Sequence, residues 1–344
     1  MDDLVSIVCP LHNKGRYICE TIESVFQQTH QQWEMIVVEN GSTDNGPDIV
    51  RQFDDPRIQL IEAPETVRGP GAARNVGIDC ASGQWVLFLD ADDLIEINHL
   101  QDLLAAAADP EIDIVASGWR EFKVSTPDNF EIKEPMGRGA ADFRLADHAI
   151  AFAPWAIHCA LIRKSVLGDE MRWVEELDRY ASEDTAFWFQ VVCNKKVAYS
   201  EGHSAVYRVE TDNFRNRVDD LEQWFDAMDA VVNANVNVLK SNGNELNAKQ
   251  CESLMRLWED VALRSRKKGV QEVEQKACSN AQDWLYKCKS KGGVRSLTMR
   301  VRDKLLIRRF LAIRNWLSIS HRPIAQAGMW FQSAKDRKTT RENR

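Results

Sequence analysis

Three aspartates lie within four positions of one another, directly after a short apolar segment. Asp90, Asp92 and Asp93 follow residues 86–89, which read Val-Leu-Phe-Leu. Carboxylates this close together repel one another unless a cation or solvent relieves the repulsion. Hard cations such as Mg²⁺ bind oxygen ligands and share them with substrate phosphates, so the cluster indicates a metal-bridged diphosphate. A solvated acidic turn that caps the following helix is the alternative, and the residue types leave both interpretations open.

Arg74 is a second candidate for anion binding, because it stands near the start of a predicted helix. A guanidinium group and the free N–H groups of a helix start could together meet an anion. Pairing of Arg74 with a surface acid is the alternative. Gly69 and Gly71 precede it, but they do not make a dinucleotide-binding fingerprint, since that pattern should follow the first strand of a βαβ unit and this one follows the third.

A third candidate is the acidic pair Glu183 and Asp184, which stands between Ser182 and the apolar residues 186–189. A carboxylate that faces a cleft from the start of a helix can serve as a general base. Alternatively, Ser182 caps the helix and the two acids favour its positive end. The spacing is compatible with both interpretations.

Short apolar segments alternate with amphipathic ones through the first 118 residues. Each predicted strand is rich in Val and Ile and is bounded by polar, Gly or Pro residues. Strands that alternate with helices of this length indicate an α/β fold with a mainly parallel sheet and helices on both faces. The predicted strands cover residues 4–9, 33–38, 57–61, 85–89 and 112–116, and the predicted helices cover residues 17–28, 72–81 and 98–108.

The candidate residues collect at one edge of this predicted sheet, because ligands of an open α/β sheet bind outside the carboxyl ends of its strands. In the loop after the second strand, Gly41 is expected to make the turn, and Ser42 and Asp44 to cap the next helix. The segments that follow the first, second and fourth strands are residues 10–13, 39–44 and 90–93.

The remainder of the chain carries fewer motifs. Residues 120–150 contain two prolines and two glycines and are expected to form an irregular connector. Apolar residues recur at helical spacing from residue 219, and further helices are predicted over residues 251–266 and 273–287.

Composition narrows the class of protein. The 344 residues are 44% hydrophobic and 28% charged, which is typical of a globular chain of about two domains. The formal charge of −8 offers no electrostatic footprint for nucleic acid. Eight scattered cysteines without a C-x-x-C pair, the lack of a secretory signal and the lack of a long apolar span predict a cytoplasmic location.

The charge is unevenly distributed along the chain. Residues 290–344 carry 14 Lys and Arg against 3 Asp and Glu, a net charge of +11, which leaves −19 for residues 1–289. Within the basic part, residues 297–320 place apolar side chains on one helical face and arginines on the others. Such a helix can lie on the inner face of an anionic membrane, and packing onto the acidic body is the alternative.

Five segments, in order, resemble the motifs of glycosyltransferase family 2, whose members share the GT-A nucleotide-sugar fold. The resemblance is dense over about residues 4–95 and thinner further on, near residues 154–155, 162–165, 183–184 and 207–208. The five segments are residues 5–13, 24–29, 34–44, 73–77 and 88–93.

The resemblance implies an inverting transfer of a sugar from a nucleoside diphosphate sugar to an acceptor hydroxyl. It implies that Asp184 is the catalytic base, and that Asp92 coordinates Mg²⁺ or Mn²⁺ bridging the diphosphate. Asp90 would contact the ribose. The residues implied in binding the nucleotide sugar are Pro10, His12, Asn13, Glu39, Asn40, Arg74 and Asp90.

Two positions depart from the family pattern. The family usually has a carboxylate at the position of Asn40, where it commonly accepts the N3–H of uracil. An amide oxygen can accept the same hydrogen bond, although an amide can also donate. Many relatives have Tyr where this chain has His12, which offers a smaller stacking surface. Uridine remains the expected nucleoside.

The resemblance also implies that different segments of the chain have different roles. Residues 1–118 would form the nucleotide-sugar-binding half of the GT-A domain, residues 119–215 its acceptor-binding half, and residues 216–344 a C-terminal helical region. A glycan or lipid-linked acceptor of cell-surface polysaccharide or lipopolysaccharide synthesis is expected. Trp119, Trp155 and Trp173 could stack on sugars, or lie in the core.

Two rival functions remain at this point. A nucleotidyltransferase shares the α/β architecture and acidic metal sites, but it should carry a Gly-rich triphosphate loop after the first strand, which residues 10–13 lack. A non-catalytic glycan- or membrane-binding scaffold would keep the fold, and the presence of Asp90, Asp92 and Asp184 argues against it.

Overall fold

A computed structural model describes residues 3–64, 66–138, 144–168, 171–179, 182–193, 195–209 and 220–292. The chain divides into two units. The first comprises residues 1–138 and 153–238, and the second comprises residues 139–152 and 239–344.

The strands of the first unit form two sheets. A seven-stranded sheet has the order β10-β6-β9-β4-β1-β2-β3, and a four-stranded sheet has the order β5-β11-β7-β8. The strands are β1 (Val5–Leu11), β2 (Trp33–Glu39), β3 (Ile58–Glu62), β4 (Trp85–Phe88), β5 (Leu94–Ile95), β6 (Ile114–Ala116), β7 (Trp119–Lys123), β8 (Thr126–Lys133), β9 (Ala160–Arg163), β10 (Val197–Tyr199) and β11 (Ala205–Val209).

Helices connect the strands of the first unit and make up much of the described part of the second. The helices are α1 (Ile18–Phe26), α2 (Gly46–Arg51), α3 (Pro70–Cys80), α4 (His99–Ala106), α5 (Leu145–Ala149), α6 (Glu183–Val192), α7 (Leu221–Ser241), α8 (Ala248–Lys268) and α9 (Gln271–Ser290).

The seven-stranded sheet confirms the predicted α/β class with a mainly parallel sheet. β1 pairs in parallel with both β2 and β4, whereas β9 runs antiparallel between β4 and β6. The Val- and Ile-rich strands are buried because helices cover the sheet. Ile18, Ile22 and Val25 lie on one face of α1 and pack in the same core cluster as Ile7 and Met35.

The prediction of an irregular connector over residues 120–150 is wrong. β7 and β8 form an antiparallel pair within that range, and α5 follows. The side chains of β8 are almost all exposed, so the segment lacks the alternation of apolar and polar residues by which a half-buried strand is identified. Pro127 is accommodated because β8 is an edge strand, where a missing N–H breaks no ladder.

The described residues of the second unit are mainly helical, as the periodicity predicted for residues 251–266 and 273–287, and α8 packs against α9. Asn247 begins α8 with a capping box that it shares with Gln250, so two N–H groups at the helix start are satisfied reciprocally. Gly269, with φ +76°, ends α8. No helix within the described ranges is long and apolar enough to cross a bilayer. The basic segment 297–320 lies outside the described residues.

Candidate active site

A cavity of about 740 Å³ opens at the carboxyl ends of β1, β2 and β4 in the first unit. The neighbouring parallel strands end together, so the loops after them meet at one sheet edge. The start of α3, the start of α6 and strand β11 complete the wall. Of the residues predicted from the sequence, the cavity is lined by Pro10, His12, Asn40, Arg74, Asp90, Asp92 and Asp184.

Asn13 and Glu39 are not among the lining residues: Asn13 joins two loops instead, and the Glu39 side chain bonds within the second of these loops. The Asn13 Oδ1 atom accepts the N–H of Thr43 at 2.7 Å, and the Asn13 N–H donates to Ser42 Oγ at 3.1 Å. The Glu39 carboxylate accepts the N–H and the hydroxyl of Ser42. Asn13 has φ +54°, which the small polar side chain tolerates. These contacts fix the loop after β1 to the loop after β2.

The expected helix caps in the second loop are only partly observed. Ser42 does not cap α2, since its hydroxyl is engaged by Asn13 and Glu39. Asp44 Oδ1 does accept the N–H of Gly46, the first residue of α2, at 3.0 Å, while its Oδ2 accepts the N–H of Gly15 at 2.7 Å.

Arg74 is buried beneath the cavity, with only 2% of its surface exposed. Its guanidinium donates to Asp90 Oδ1 at 2.6 Å, lies 3.6 Å from Glu183 Oε1, and stands over the Trp173 ring at 4.3 Å. Burial acts to lower the pKa of Arg74, but the carboxylates of Asp90 and Glu183 outweigh it and raise the pKa above its ordinary value. Arg74 therefore pairs with cavity acids, not with a surface acid.

The N–H groups at the start of α3 are not free, contrary to the expectation that they would meet an anion alongside Arg74. Asp178 accepts the N–H groups of Gly71 and Ala72, each at 2.8 Å. A Cβ atom at Gly71 would stand 2.4 Å from Asp178 Oδ1, so a larger residue there would displace this carboxylate. Burial raises the pKa of Asp178, opposed by the two backbone hydrogen bonds. The anion at this helix start is thus a side chain of the protein.

The three clustered aspartates have three different environments. Asp90 pairs with Arg74, and Asp92 accepts a hydrogen bond from Lys14 Nζ at 2.5 Å. Asp93 is 2% exposed and accepts the N–H of Arg208 at 2.9 Å. The repulsion expected from the sequence is therefore relieved by separate cationic and N–H partners.

Glu183 and Asp184 are the first two residues of α6, and both line the cavity. Ser182 occupies the N-cap position without a side-chain capping bond. The pKa of Glu183 is raised to about 7, mainly by burial and secondly by the nearby Asp184 carboxylate, although Arg74 acts to lower it. The site thus holds two adjacent carboxyl groups, a buried one on Asp184 and a partly exposed one on Glu183 that is engaged by Arg74.

The carboxylates of Asp90 and Asp92 are of the chemical type that binds a hard divalent cation. Asp90 and Asp92 face the same cavity with oxygen donors, the ligands that Mg²⁺ and Mn²⁺ prefer. Within the described ranges, no three His, Cys, Asp or Glu side chains converge as a metal-binding group. A cation on Asp92 would therefore take most of its ligands from a diphosphate and from water, which is the usual arrangement for Mg²⁺.

Sequence reasoning missed Lys14 and Asp178 as cavity residues. Lys14 lies three residues after the end of β1, so its place at the sheet edge could have been predicted from the pattern. The contact of Asp178 with α3 spans more than 100 residues and left no local signal. Trp155 and Trp173 are each 2% exposed, in agreement with the core alternative. The Trp119 ring N–H donates to Glu121.

The fold and the placement of the acidic residues define a GT-A type α/β domain. Residues 6–169 match the family model for glycosyl transferase family 2. This segment therefore belongs to glycosyltransferase family 2, as the motifs predicted.

Relatives and solved structures agree with this assignment. Over 164 residues the chain is 30% identical to the glycosyltransferase GlyG of Streptococcus pneumoniae serotype 4, covering 43% of this chain and 54% of the relative. Over 102 residues it is 41% identical to the Escherichia coli UDP-Glc:alpha-D-GlcNAc-diphosphoundecaprenol beta-1,3-glucosyltransferase WfgD, covering 29% and 40%. The chain thus spans about half the length, or less, of the curated relatives it matches.

The structural matches extend over most of the chain. S. aureus TarS 1–349 in complex with UDP aligns with a TM-score of 0.62 at 20% identity, covering 92% of this chain and 93% of that one. The mannosyltransferase PcManGT from Pyrobaculum calidifontis, in complex with GDP-Man and Mn²⁺, aligns with a TM-score of 0.53 at 17% identity, covering 95% and 87%. At these identities the matches establish the GT-A fold.

Proposed function

We propose that the protein is an inverting, metal-dependent glycosyltransferase that moves a sugar from a nucleoside diphosphate sugar to a hydroxyl of a glycan or lipid-linked acceptor. The observation that carries this proposal is the convergence of Asp90, Asp92, Arg74 and Asp184 on one cavity at the strand ends of a family 2 segment. Relatives named for teichuronic acid and succinoglycan biosynthesis support a role in making a cell-surface polysaccharide.

Uridine is the nucleoside we assign to the donor. His12 donates from Nδ1 to the backbone oxygen of Asn40 at 2.8 Å, because a carbonyl oxygen can only accept. Asn40 Oδ1 accepts the N–H of Gly69 at 3.3 Å, which orients the amide and keeps a second lone pair on Oδ1 for an N–H of the base. The donor named for the E. coli relative is UDP-Glc, and TarS has been solved with UDP-GlcNAc.

The chemistry follows from the residue types around the cavity. Asp184 takes the proton of the acceptor hydroxyl as its oxygen attacks the anomeric carbon. The bond between that carbon and the diphosphate oxygen breaks on the opposite face, so the configuration inverts and a nucleoside diphosphate leaves. A divalent cation held by Asp92 would neutralise the charge that develops on the diphosphate. Arg74 holds Asp90 in position beneath the donor.

The acceptor and the membrane are assigned to segments of the chain, whereas the donor is assigned to individual residues. We assign acceptor binding to residues 119–215 and a peripheral contact with the inner face of the cell membrane to residues 297–320. The diphosphoundecaprenol-linked acceptor named for the E. coli relative supports a lipid-linked substrate. In a sedimentation assay the full chain should bind anionic liposomes and a variant without residues 297–344 should not, and unchanged binding of that variant would contradict the membrane assignment.

Calorimetric titration with UDP, GDP, ADP, CDP and dTDP in the presence of Mn²⁺ tests the donor assignment. UDP is expected to bind at least tenfold more tightly than the others. Tighter binding of another nucleoside diphosphate would move the assignment to that base, and binding of none would argue for a non-catalytic scaffold.

The base assignment is tested with Asp184→Asn, which keeps the shape of the side chain but removes its basicity. Hydrolysis of the UDP-sugar that the wild type accepts should fall by about 10²- to 10⁴-fold, the usual contribution of a general base, while UDP affinity stays within about twofold. Asp79→Asn, at an exposed pair with Arg172, is the matched control and should behave like the wild type. Wild-type turnover by Asp184→Asn would remove Asp184 from the base role.

A further inference from the structure

The carboxylate to which we assign the divalent cation already holds a cation of the protein. Lys14 Nζ lies 2.5 Å from Asp92 Oδ2, and the two side chains are 30% and 13% exposed. Both residues line the cavity. A divalent cation and an ammonium group on this same oxygen would repel each other strongly, because like charges at contact distance are only partly screened at a protein surface.

The backbone of Lys14 is fixed on both sides. Gly15 donates its N–H to Asp44, and Asn13 is bonded to Ser42 and Thr43. The Lys14 carbonyl itself accepts N–H groups from the first turn of α1 at 2.9 and 3.0 Å. The loop therefore presents Lys14 at a constant place, and only its four-carbon side chain is able to move.

The surroundings of the cavity favour an exchange. Its lining contains more carboxylates than cations: Asp90, Asp92, Asp93, Asp178, Glu183 and Asp184 against Lys14, Arg68, Arg74 and Arg208. A diphosphate that enters needs positive charge, and Lys is a compact, mobile phosphate ligand with three N–H donors. Arg74 cannot move to meet the diphosphate, because it is buried between Asp90, Glu183 and Trp173. Lys14 can.

We propose that Lys14 is an exchangeable counter-ion of the metal site. In the donor-free protein it neutralises Asp92. When the donor enters, Lys14 transfers to the diphosphate and Asp92 accepts the divalent cation. The proposal rests on the proposed function, since it requires a diphosphate and a metal in the same cavity. It makes Lys14 a donor-binding residue that also weakens the binding of metal without donor.

Two binding measurements on the full chain test the exchange, and they should move in opposite directions. Mn²⁺ alone is titrated by electron paramagnetic resonance, and UDP alone is titrated by calorimetry in the presence of EDTA. Lys14→Met should bind Mn²⁺ at least fivefold more tightly than the wild type and metal-free UDP at least fivefold more weakly. Lys14→Arg, which keeps the charge, should stay close to the wild type in both titrations.

Lys196→Met is the matched control, since Lys196 forms an exposed pair with Glu111 away from the lining residues. It should leave both affinities unchanged. A merely structural role of Lys14 would weaken both ligands or neither. Unchanged or weaker Mn²⁺ binding by Lys14→Met, or unchanged metal-free UDP binding, overturns the exchange.

The outcomes separate this proposal from the donor assignment. If the wild type binds UDP more tightly with Mn²⁺ and Lys14→Met shows the same two affinities as the wild type, the donor assignment stands and only the exchange is overturned. If the wild type binds neither Mn²⁺ nor UDP, the donor assignment fails and the exchange fails with it.

Discussion

Asp90 and Asp92 stand two residues apart after the same strand, yet their ion pairs differ in kind. Asp90 is held by Arg74, whose side chain is 3% exposed, stands over an aromatic ring and is shared with Glu183. Asp92 is held by Lys14, which is 30% exposed and makes a single contact with it. A buried guanidinium between two carboxylates and an aromatic ring behaves as part of the core, whereas a partly exposed ammonium exchanges with solvent and ions.

The two different ion pairs suit Asp90 and Asp92 to different roles, although both belong to one motif. The Asp90 side of the cavity is fixed, because α3, the loop that carries Trp173, and α6 converge on Arg74. The Asp92 side is adjustable, because the flexible side chain of Lys14 occupies it. The fixed position of Asp90 suits the recognition of a nucleoside. The exchangeable partner of Asp92 suits the binding of a metal cation that arrives with the diphosphate.

The largest change in stability is expected from Arg74→Met. Removing one partner of a fully buried ion pair typically costs about 3–5 kcal/mol, and because the Asp90 side chain is 29% exposed we expect the lower end of that range. Urea unfolding should report a loss of about that size. Arg51→Met, at a half-exposed pair with Asp48, serves as the control and should cost about 1 kcal/mol or less. Equal losses in the two variants would contradict the view that Arg74 is part of the core.

A pH dependence is expected from Glu183. Its pKa in the folded protein, about 7, lies above the ordinary value of 4.5, so between these values the folded state holds more protons than the unfolded state. Its contribution to stability is therefore greatest below about pH 4.5 and is lost as the pH rises towards 7, with a slope of up to about 1.4 kcal/mol per pH unit.

Glu183→Gln should remove this slope from the unfolding free energy measured at a series of pH values. Glu176→Gln, an exposed neighbour in the chain, should retain it. A slope that persists in Glu183→Gln would place the responsible titration elsewhere.

A smaller effect is expected at the start of α3, the helix that carries Arg74. Asp178→Ala removes the acceptor for the N–H groups of Gly71 and Ala72, and the loss of such a cap costs about 0.5–2 kcal/mol. Urea unfolding of Asp178→Ala against Glu176→Ala measures it. A difference of zero would show that water replaces the carboxylate at no cost.

The smallest change in stability is expected from Lys14→Met. The pair with Asp92 is partly exposed, so its loss should lower the free energy of unfolding by about 1 kcal/mol or less. A loss as large as that of Arg74→Met would make Lys14 a structural residue and would remove the contrast between the two pairs.

The sheet and the candidate residues at its edge were predictable because both depend on local patterns. Val- and Ile-rich segments at βαβ spacing located β1, β2 and β4, and the polar residues directly after them had to meet at the strand ends. The connection of Asp178 with α3 was not predictable, since it joins distant segments through backbone N–H groups that any sequence possesses. β8 was missed because its exposed side chains need no apolar alternation.

The affinity for UDP of the wild type and of Asp92→Asn, each measured with and without Mn²⁺, tests the central claim most directly. The amide keeps the shape of the side chain but weakens it as a metal ligand. We predict that Mn²⁺ tightens UDP binding to the wild type at least tenfold and to Asp92→Asn by less than twofold. An equal gain in both proteins would contradict the assignment of the divalent cation to Asp92.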